Sequence, residues 1–96
     1  MDEILVFKLV TGEEMLAKVL DSDMFSWTLN KPMTLVPSNG GLAMTLGLFT
    51  ANQEKPVTLL KSGVIMTSVP RAELVSTYIE STTGIKTVTK PDILLG

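Results

Sequence analysis

Residues 25–35 read FSWTLNKPMTL and give the most regular alternation of apolar and polar side chains in this 96-residue chain. One side of the alternation carries Phe25, Trp27, Leu29, Met33 and Leu35. Side chains two residues apart lie on the same face of a β-strand, so the stretch is predicted to be a strand with one apolar face. Lys31 breaks the apolar series and Pro32 has no N–H for a sheet hydrogen bond, which predicts a bend or bulge at this point.

Short apolar segments separated by turn residues continue on both sides of this strand, a pattern typical of a small all-β domain. The other predicted strands are Ile4–Val10, Glu14–Leu20, Leu42–Leu48 with its resumption at Val57–Leu60, and Val64–Val69. Asn39 and Gly40 lie in a hairpin signal, because both residues readily take the left-handed conformations of a tight turn. Residues 61–63 form a second short turn directly before the fifth strand.

The apolar period changes after the fifth strand. Leu74, Val75, Tyr78 and Ile79 recur at helical spacing, with Pro70 suited to a first turn and Gly84 to a stop. The sequence therefore predicts a helix of about three turns between them. The tail, residues 85–96, is either an added edge strand or a mobile peptide, and the sequence leaves both interpretations open. We divide the chain into a domain of residues 1–84 and this tail.

The composition excludes several classes of protein. A chain with 45% hydrophobic and 19% charged residues folds rather than staying disordered. No apolar run reaches the roughly 18 residues of a membrane span, and the acidic start Met1-Asp2-Glu3 is unlike a signal peptide. The chain has no Cys and no His, which removes disulfides, thiolate sites and the commonest general base and metal ligand. We expect a cytoplasmic protein that is not an enzyme and uses no cofactor or metal.

Charge and hydropathy predict how such a domain meets its partners. The net charge of −2 gives no long-range basic field, so any nucleic-acid binding depends on a few local groups. A domain of this size buries only about 60–65% of its unfolded surface, so part of the large apolar fraction is expected in a subunit interface. We therefore expect an oligomer.

Three segments, residues 6–17, 23–25 and 60–66, carry a family resemblance together with the strand order. They resemble the Sm/LSm/Hfq superfamily, and most closely the small Sm-like proteins of tailed marine phages. The opening Val6-x-Lys8-Leu9-Val10-Thr11-Gly12-Glu13-Glu14-x-Leu16-Ala17 is similar to the start of the phage proteins. In the first Sm motif Ala17 matches the small residue and Asp23-Met24-Phe25 matches the Asp and aromatic residue, whereas Ser26 and Trp27 replace Met and Asn. Leu60-Lys61-Ser62-Gly63-Val64-Ile65-Met66 is similar to the second motif, with Lys for Arg and one residue more.

The resemblance implies a mainly β fold, an Sm-like small open barrel of five strongly bent antiparallel strands, here followed by a C-terminal helix. It also implies a homo-oligomeric ring of about five to seven subunits, in which the fourth strand of one subunit pairs with the fifth strand of the next. Both strands, Leu42–Leu48 and Val64–Val69, are almost without charge and would be hazardous as free edges. The alternative is a monomer whose helix or tail covers an edge.

A site for single-stranded RNA, or DNA, at the central pore of the ring is the function that the resemblance implies. Carried over by position, its residues are Asp23 and Phe25 from one loop and Lys61, Ser62 and Gly63 from the other. A base would stack on the aromatic ring while the lysine meets phosphate. Phe25 alternatively packs in the core, Asp23 alternatively stabilises a turn, and Lys61 alternatively is a solvated turn residue. A structural or adaptor module that uses the same barrel for protein contacts is the alternative function; no membrane partner is expected.

Overall fold

The computed structural model describes residues 3–83, which form an antiparallel sheet and one C-terminal helix. The strands are β1 (Glu3–Leu9), β2 (Glu14–Ser22), β3 (Ser26–Ser38), β4 (Gly41–Leu46), β5 (Val57–Leu60) and β6 (Val64–Ser68), and the helix is α1 (Ala72–Thr83). A short 3-10 turn, Lys61–Gly63, joins β5 to β6. The mainly β class and the C-terminal helix are confirmed. The predicted stop at Gly84 and the tail of residues 85–96 lie outside the described residues.

Two differences from the sequence-based prediction concern the division of the fourth strand and the start of the helix. Residues 57–60, expected to resume the fourth strand, form the separate strand β5 because residues 47–56 leave the sheet between β4 and β5. Helix α1 begins at Ala72 instead of Pro70. The Arg71 carbonyl accepts the first helical hydrogen bonds, from the amides of Leu74 and Val75 at 3.0 and 3.2 Å. Pro70 therefore lies before the helix, and its side chain is buried.

Strand β3 is the centre of the sheet and has two successive partners on one side. The strand order is β4-β3-β2-β1-β6, and β5 pairs with the first four residues of β3 while β4 pairs with its second half. Strand β2 runs along the other side of β3. Within residues 3–83 the sheet does not close, so the outer edges of β4, β5 and β6 have no partner strand.

A bulge at Lys31 confirms the predicted break in β3. The pairing with β2 changes there, because β3 uses one more residue than β2 between two paired positions. Lys31 has a φ of +50°, in the left-handed region that residues with a side chain rarely adopt. An odd number of extra residues turns all later side chains to the opposite face of the sheet.

This inversion divides the apolar residues of β3 between two cores, and the prediction that they all share one face is wrong. The inner core contains Phe7, Met15, Ala17, Val19 and Leu29, with Trp27 packed against it. The helix core contains Leu16, Met33, Leu35 and Tyr78, with Leu74 and Ile79 of α1 packed against it. Residues of β3 before the bulge thus face the inner core, and those after it face the helix.

Tyr78 joins the helix to the bulge. Its hydroxyl lies 2.9 Å from the carbonyl oxygens of both Asn30 and Lys31, to which it donates, and it accepts a hydrogen bond from the Lys18 amide at 3.2 Å. Burial raises the pKa of Tyr78 to about 12, so the hydroxyl stays protonated. The side chain therefore satisfies backbone groups that the bulge takes out of the sheet ladder.

Candidate functional site

The β2–β3 loop and the turn before β6 meet at one end of the sheet. The Lys61 amide donates a hydrogen bond of 2.9 Å to the Phe25 carbonyl oxygen. This contact follows directly from the ladder, because Leu60 at the end of β5 pairs with Ser26 at the start of β3. Asp23, Phe25 and Lys61, which lie far apart in the sequence, are thus brought together.

Asp23 organises the β2–β3 loop. Its Oδ1 accepts hydrogen bonds from the amides of Phe25 and Ser26 at 2.8 and 2.9 Å, and from the Ser26 hydroxyl at 3.3 Å. These bonds hold the pKa of Asp23 below its usual value, with the Phe25 amide as the largest cause and the Ser26 amide next. One carboxylate oxygen is therefore committed to the turn, as the turn-stabilising interpretation requires.

Phe25 lies on the surface and not in the core. Its side chain is 73% exposed at the tip of the loop, so the core-packing interpretation is wrong. The alternation of residues 25–35 suggested otherwise, but β3 begins only at Ser26 and leaves Phe25 in the turn. A bonded turn that displays an aromatic ring provides a flat surface on which a nucleic-acid base can stack.

Lys61 is held by two neutral side chains. Its ammonium donates to the Ser22 hydroxyl at 3.2 Å and lies 4.9 Å from the centroid of the Trp27 ring, within cation–π range. Trp27 is half-buried and packs edge-on against Phe7, with ring centroids 5.0 Å apart. The two ion pairs within residues 3–83 join Lys8 to Glu14 and Arg71 to Glu73, so neither neutralises Lys61.

Ser62 and Gly63 complete the short turn beside Lys61. Ser62 is exposed, and the Gly63 carbonyl accepts a hydrogen bond of 3.0 Å from the Val10 amide. A Cβ added to Gly63 would meet no atom within 4 Å, so the fold of one chain does not require glycine there. The space beside this backbone is open to an approaching ligand.

Two residues of this arrangement were missed by the sequence analysis, namely Ser22 and Trp27 as the partners of Lys61. They lie opposite each other on β2 and β3. Only the register of the two strands reveals this pairing, and a second irregularity, between Val19 and Asp21, sets that register. The alternation of apolar residues places Trp27 on the inner face but does not indicate what lies across from it.

The candidate site combines an exposed ring, an ammonium group and hydroxyl groups, which suits binding of a flat anionic ligand. In the part of the chain from Glu3 to Thr83, no three Asp or Glu residues cluster closely enough to hold a metal ion. No helix in the same range is long and apolar enough to cross a membrane. A shallow groove between β1 and β6, lined by residues that include Val6 and Met66, lies apart from the site.

The free strand edges carry exposed apolar side chains. On β4 and in the chain after it these are Leu42, Leu46, Leu48 and Phe49, and on β6 and after it they are Ile65, Met66 and Val69. Both groups lie on or next to strands that lack an outer partner within residues 3–83. These edges therefore offer backbone hydrogen-bonding groups and apolar area to another chain.

Comparison with known proteins adds no family assignment. No protein-family model matches the sequence, and no curated protein is significantly similar to it.

Proposed function

We propose that the protein is an Sm-like subunit that assembles into a homo-oligomeric ring and binds single-stranded RNA at the central pore. The observation that carries the proposal is the hydrogen bond from the Lys61 amide to the Phe25 carbonyl. It joins the backbones of the two loops, so that the residue with the exposed aromatic ring and the residue with the ammonium are adjacent. Bases and phosphates alternate along a nucleic-acid strand, and this pair of groups matches that alternation.

The topology supports an open barrel of the Sm type. Strand β6 follows a three-residue turn and pairs back onto β1, which brings the last strand next to the first. In this interpretation β4 and β5 together are the fourth strand, interrupted by residues 47–56, and β6 is the fifth. The bulges in β2 and β3 supply the bending that a small barrel needs.

Ring assembly would use the two free edges. The outer edge of β4 in one subunit would pair with the outer edge of β6 in the next, head to tail, until the ring closes. Exposed apolar residues such as Leu42 and Ile65, 50% and 56% accessible, would become buried. Repetition by symmetry would turn one Lys61 per chain into a circle of positive charge, so a net charge of −2 does not oppose local RNA binding.

The site residues take distinct roles in this proposal. Phe25 stacks on a base, Lys61 contacts phosphate and the Ser62 hydroxyl contacts a base edge. Asp23 acts through the turn, because its Oδ1 already accepts three hydrogen bonds. Gly63 leaves room for the ligand to approach the backbone.

Native mass spectrometry with and without a short uridine-rich RNA tests assembly and ligand together. We expect a closed multiple of the 10.4 kDa chain, shifted by the mass of one RNA per ring. Repeating the measurement with single-stranded DNA of the same length distinguishes the two nucleic acids. A ring that ignores both would contradict RNA binding but not assembly, and a monomer would contradict the ring and the pore together.

An adaptor function is the second candidate, and one loop favours it. Residues 47–56 are ordered by their own hydrogen bonds: the Gln53 side-chain amide donates to the carbonyls of Leu48 and Ala51 at 2.9 and 3.0 Å. This loop displays Leu48 and Phe49, which are 45% and 75% exposed. Fixed apolar side chains of this kind suit a protein partner.

The salt dependence of binding affinity distinguishes the two candidate functions once a ligand has been identified. Affinity for a nucleic acid falls steeply as salt rises, because each neutralised phosphate releases counterions. Docking through Leu48 and Phe49 would change little over the same range. Binding that resists salt and is lost in Phe49→Ser would favour the adaptor; binding that is lost in salt and insensitive to Phe49→Ser would favour the RNA ring.

A further inference from the structure

The Lys61 ammonium contacts two residues, Ser22 and Trp27, that are not part of the proposed site. A lysine side chain has four flexible carbon–carbon bonds, and ordering it on binding lowers affinity. Here the ammonium is already held at two points, by the Trp27 ring at 4.9 Å and the Ser22 hydroxyl at 3.2 Å. We infer that Trp27 and Ser22 are positioning residues that pre-order Lys61 for a phosphodiester without forming an ion pair with its ammonium. This inference rests on the proposed function.

The two holding groups form a rigid unit, which we call the Lys61 cradle (Ser22 and Trp27). They are directly paired across β2 and β3. Trp27 is fixed further by its pairing with Leu59 on the other side and by edge-on contact with Phe7. The cradle is thus built from the sheet and the inner core, so it keeps its geometry when no ligand is bound.

The neutrality of the cradle depends on the irregularity in β2. Val19 pairs with Leu29, and continuing that register without interruption would place Asp21 opposite Trp27. Because β2 uses one extra residue, Asp21 pairs with Thr28 and Ser22 occupies the position opposite Trp27. A hydroxyl therefore contacts the ammonium where an unbroken strand would present a carboxylate. A carboxylate there would compete with phosphate for the same charge.

The ammonium keeps capacity for a ligand. Its three N–H groups can make three hydrogen bonds, and Ser22 accepts one of them. The positive charge of Lys61 is the smallest of the causes that lower the Asp23 pKa, so the Asp23 carboxylate acts on the ammonium only through its field and forms no ion pair with it. The two remaining N–H groups can bind a ligand that offers several anionic oxygens, as a phosphodiester does.

The first test is affinity for a fluorescein-labelled oligouridylate of about ten nucleotides, within the usual site size for single strands. We expect Trp27→Leu to weaken binding about three- to tenfold and Ser22→Ala about two- to threefold, from the lost cation–π contact and hydrogen bond. Trp27→Phe keeps an aromatic face and should restore most of the affinity. Ser22 is exposed, so Ser22→Ala remains informative if Trp27→Leu fails to fold.

Double variants show whether Trp27 acts through Lys61. In a Lys61→Met background, Trp27→Leu and Ser22→Ala should cause no further loss, because the group that they position is gone. Ser22→Asp should weaken binding about tenfold by pairing with Lys61. Ser38→Asp adds the same charge at the far end of β3 and should have little effect.

The outcomes separate this inference from the proposed function. If the wild-type chain binds neither RNA nor single-stranded DNA, the proposed function fails and this inference with it. If the wild type binds but Trp27→Leu and Lys61→Met are additive, only this inference is overturned. NMR of the free protein adds a test without a ligand: the Lys61 ε-methylene protons should be shielded by the Trp27 ring, and unshielded protons would also overturn it.

Discussion

Two regions of the molecule display an aromatic ring to the same degree, yet they differ in what surrounds it. Phe25 in the β2–β3 loop is 73% exposed, and Phe49 in the loop of residues 47–56 is 75% exposed. Each region also includes a lysine. Lys61 is held beside Phe25 by neutral side chains, whereas Lys31 donates to the Gln53 carbonyl at 3.3 Å and so helps to hold the second loop.

The two regions therefore differ in the polar groups around the ring and not in the exposure of the ring. In the loop of residues 47–56, the Gln53 side-chain amide bonds to carbonyl groups of the loop itself. The side chains that the loop exposes include Leu48 and Phe49, which are apolar. In the β2–β3 loop, the Asp23 carboxylate orders the turn and the cation stays available. The loop of residues 47–56 suits a protein surface, and the β2–β3 loop suits an anionic, base-carrying strand.

The largest expected effect is a difference between Phe25→Ala and Phe49→Ala in RNA affinity. Loss of a base-stacking ring costs about 1–3 kcal/mol, so Phe25→Ala should weaken binding by about five- to a hundredfold. Phe49→Ala removes an equally exposed ring and should leave affinity within about twofold. Fluorescence anisotropy with the same oligouridylate measures both. Equal losses in the two variants would remove the distinction between the regions.

A second effect, on stability and not on RNA affinity, is expected from Tyr78→Phe, which acts on the loop of residues 47–56 through the bulge. The variant removes the hydroxyl that donates to the Asn30 and Lys31 carbonyls and accepts from the Lys18 amide. The free energy of unfolding should fall by about 1–3 kcal/mol. Chemical denaturation measures that loss. Since Lys31 also holds the loop of residues 47–56, amide hydrogen exchange there should quicken more than at Phe25. Uniform quickening would show that the bulge does not serve the two regions differently.

Two glycine substitutions give opposite expected results in the two regions. A Cβ at Gly47 would lie 3.0 Å from the Pro32 carbonyl oxygen, so Gly47→Ala should destabilise the fold by about 1 kcal/mol without changing RNA affinity. A Cβ at Gly63 meets nothing within 4 Å, so Gly63→Ala should change stability by less than about 0.5 kcal/mol. It should still reduce RNA affinity if the ligand approaches this backbone. Thermal unfolding and anisotropy, measured on both variants, would show whether the effects separate in this way.

The sequence predicts the local elements of this fold well because their signals are local. Alternation marked the strands, and Lys31 with Pro32 marked the bulge. The consequence of the bulge was missed, because whether one or two residues are inserted depends on pairing with β2, which no local pattern contains. The same limit hid the Lys61 cradle, since a register shift in β2 places Ser22 opposite Trp27.

Within the candidate site, the sequence alone identified residue types and not their surroundings. The meeting of the two loops was implied by family resemblance, and strand pairing between β3 and β5 is what brings them together. For Phe25 the sequence favours the core over base stacking, because its alternation with Trp27 continues one residue before the start of β3. Where a strand ends is decided by the Asp23 turn, through hydrogen bonds that a pattern of apolar residues does not reveal.

The smallest expected effect is a pH dependence of the β2–β3 loop, observed at Phe25 and Ser26 and compared with Leu48 and Phe49 of the other loop. The pKa of Asp23 is lower in the folded chain than its usual value of 3.8, because its carboxylate accepts hydrogen bonds from the Phe25 and Ser26 amides. The charged form therefore stabilises the folded turn above about pH 4, and this contribution is lost as the pH falls through the lower, folded pKa. The amide resonances of Phe25 and Ser26 should shift over that acidic range, and those of Leu48 and Phe49 should not. Asp23→Asn keeps an acceptor oxygen without the charge, so it should abolish the titration and retain the turn; persistence of the titration in this variant would assign it to another group.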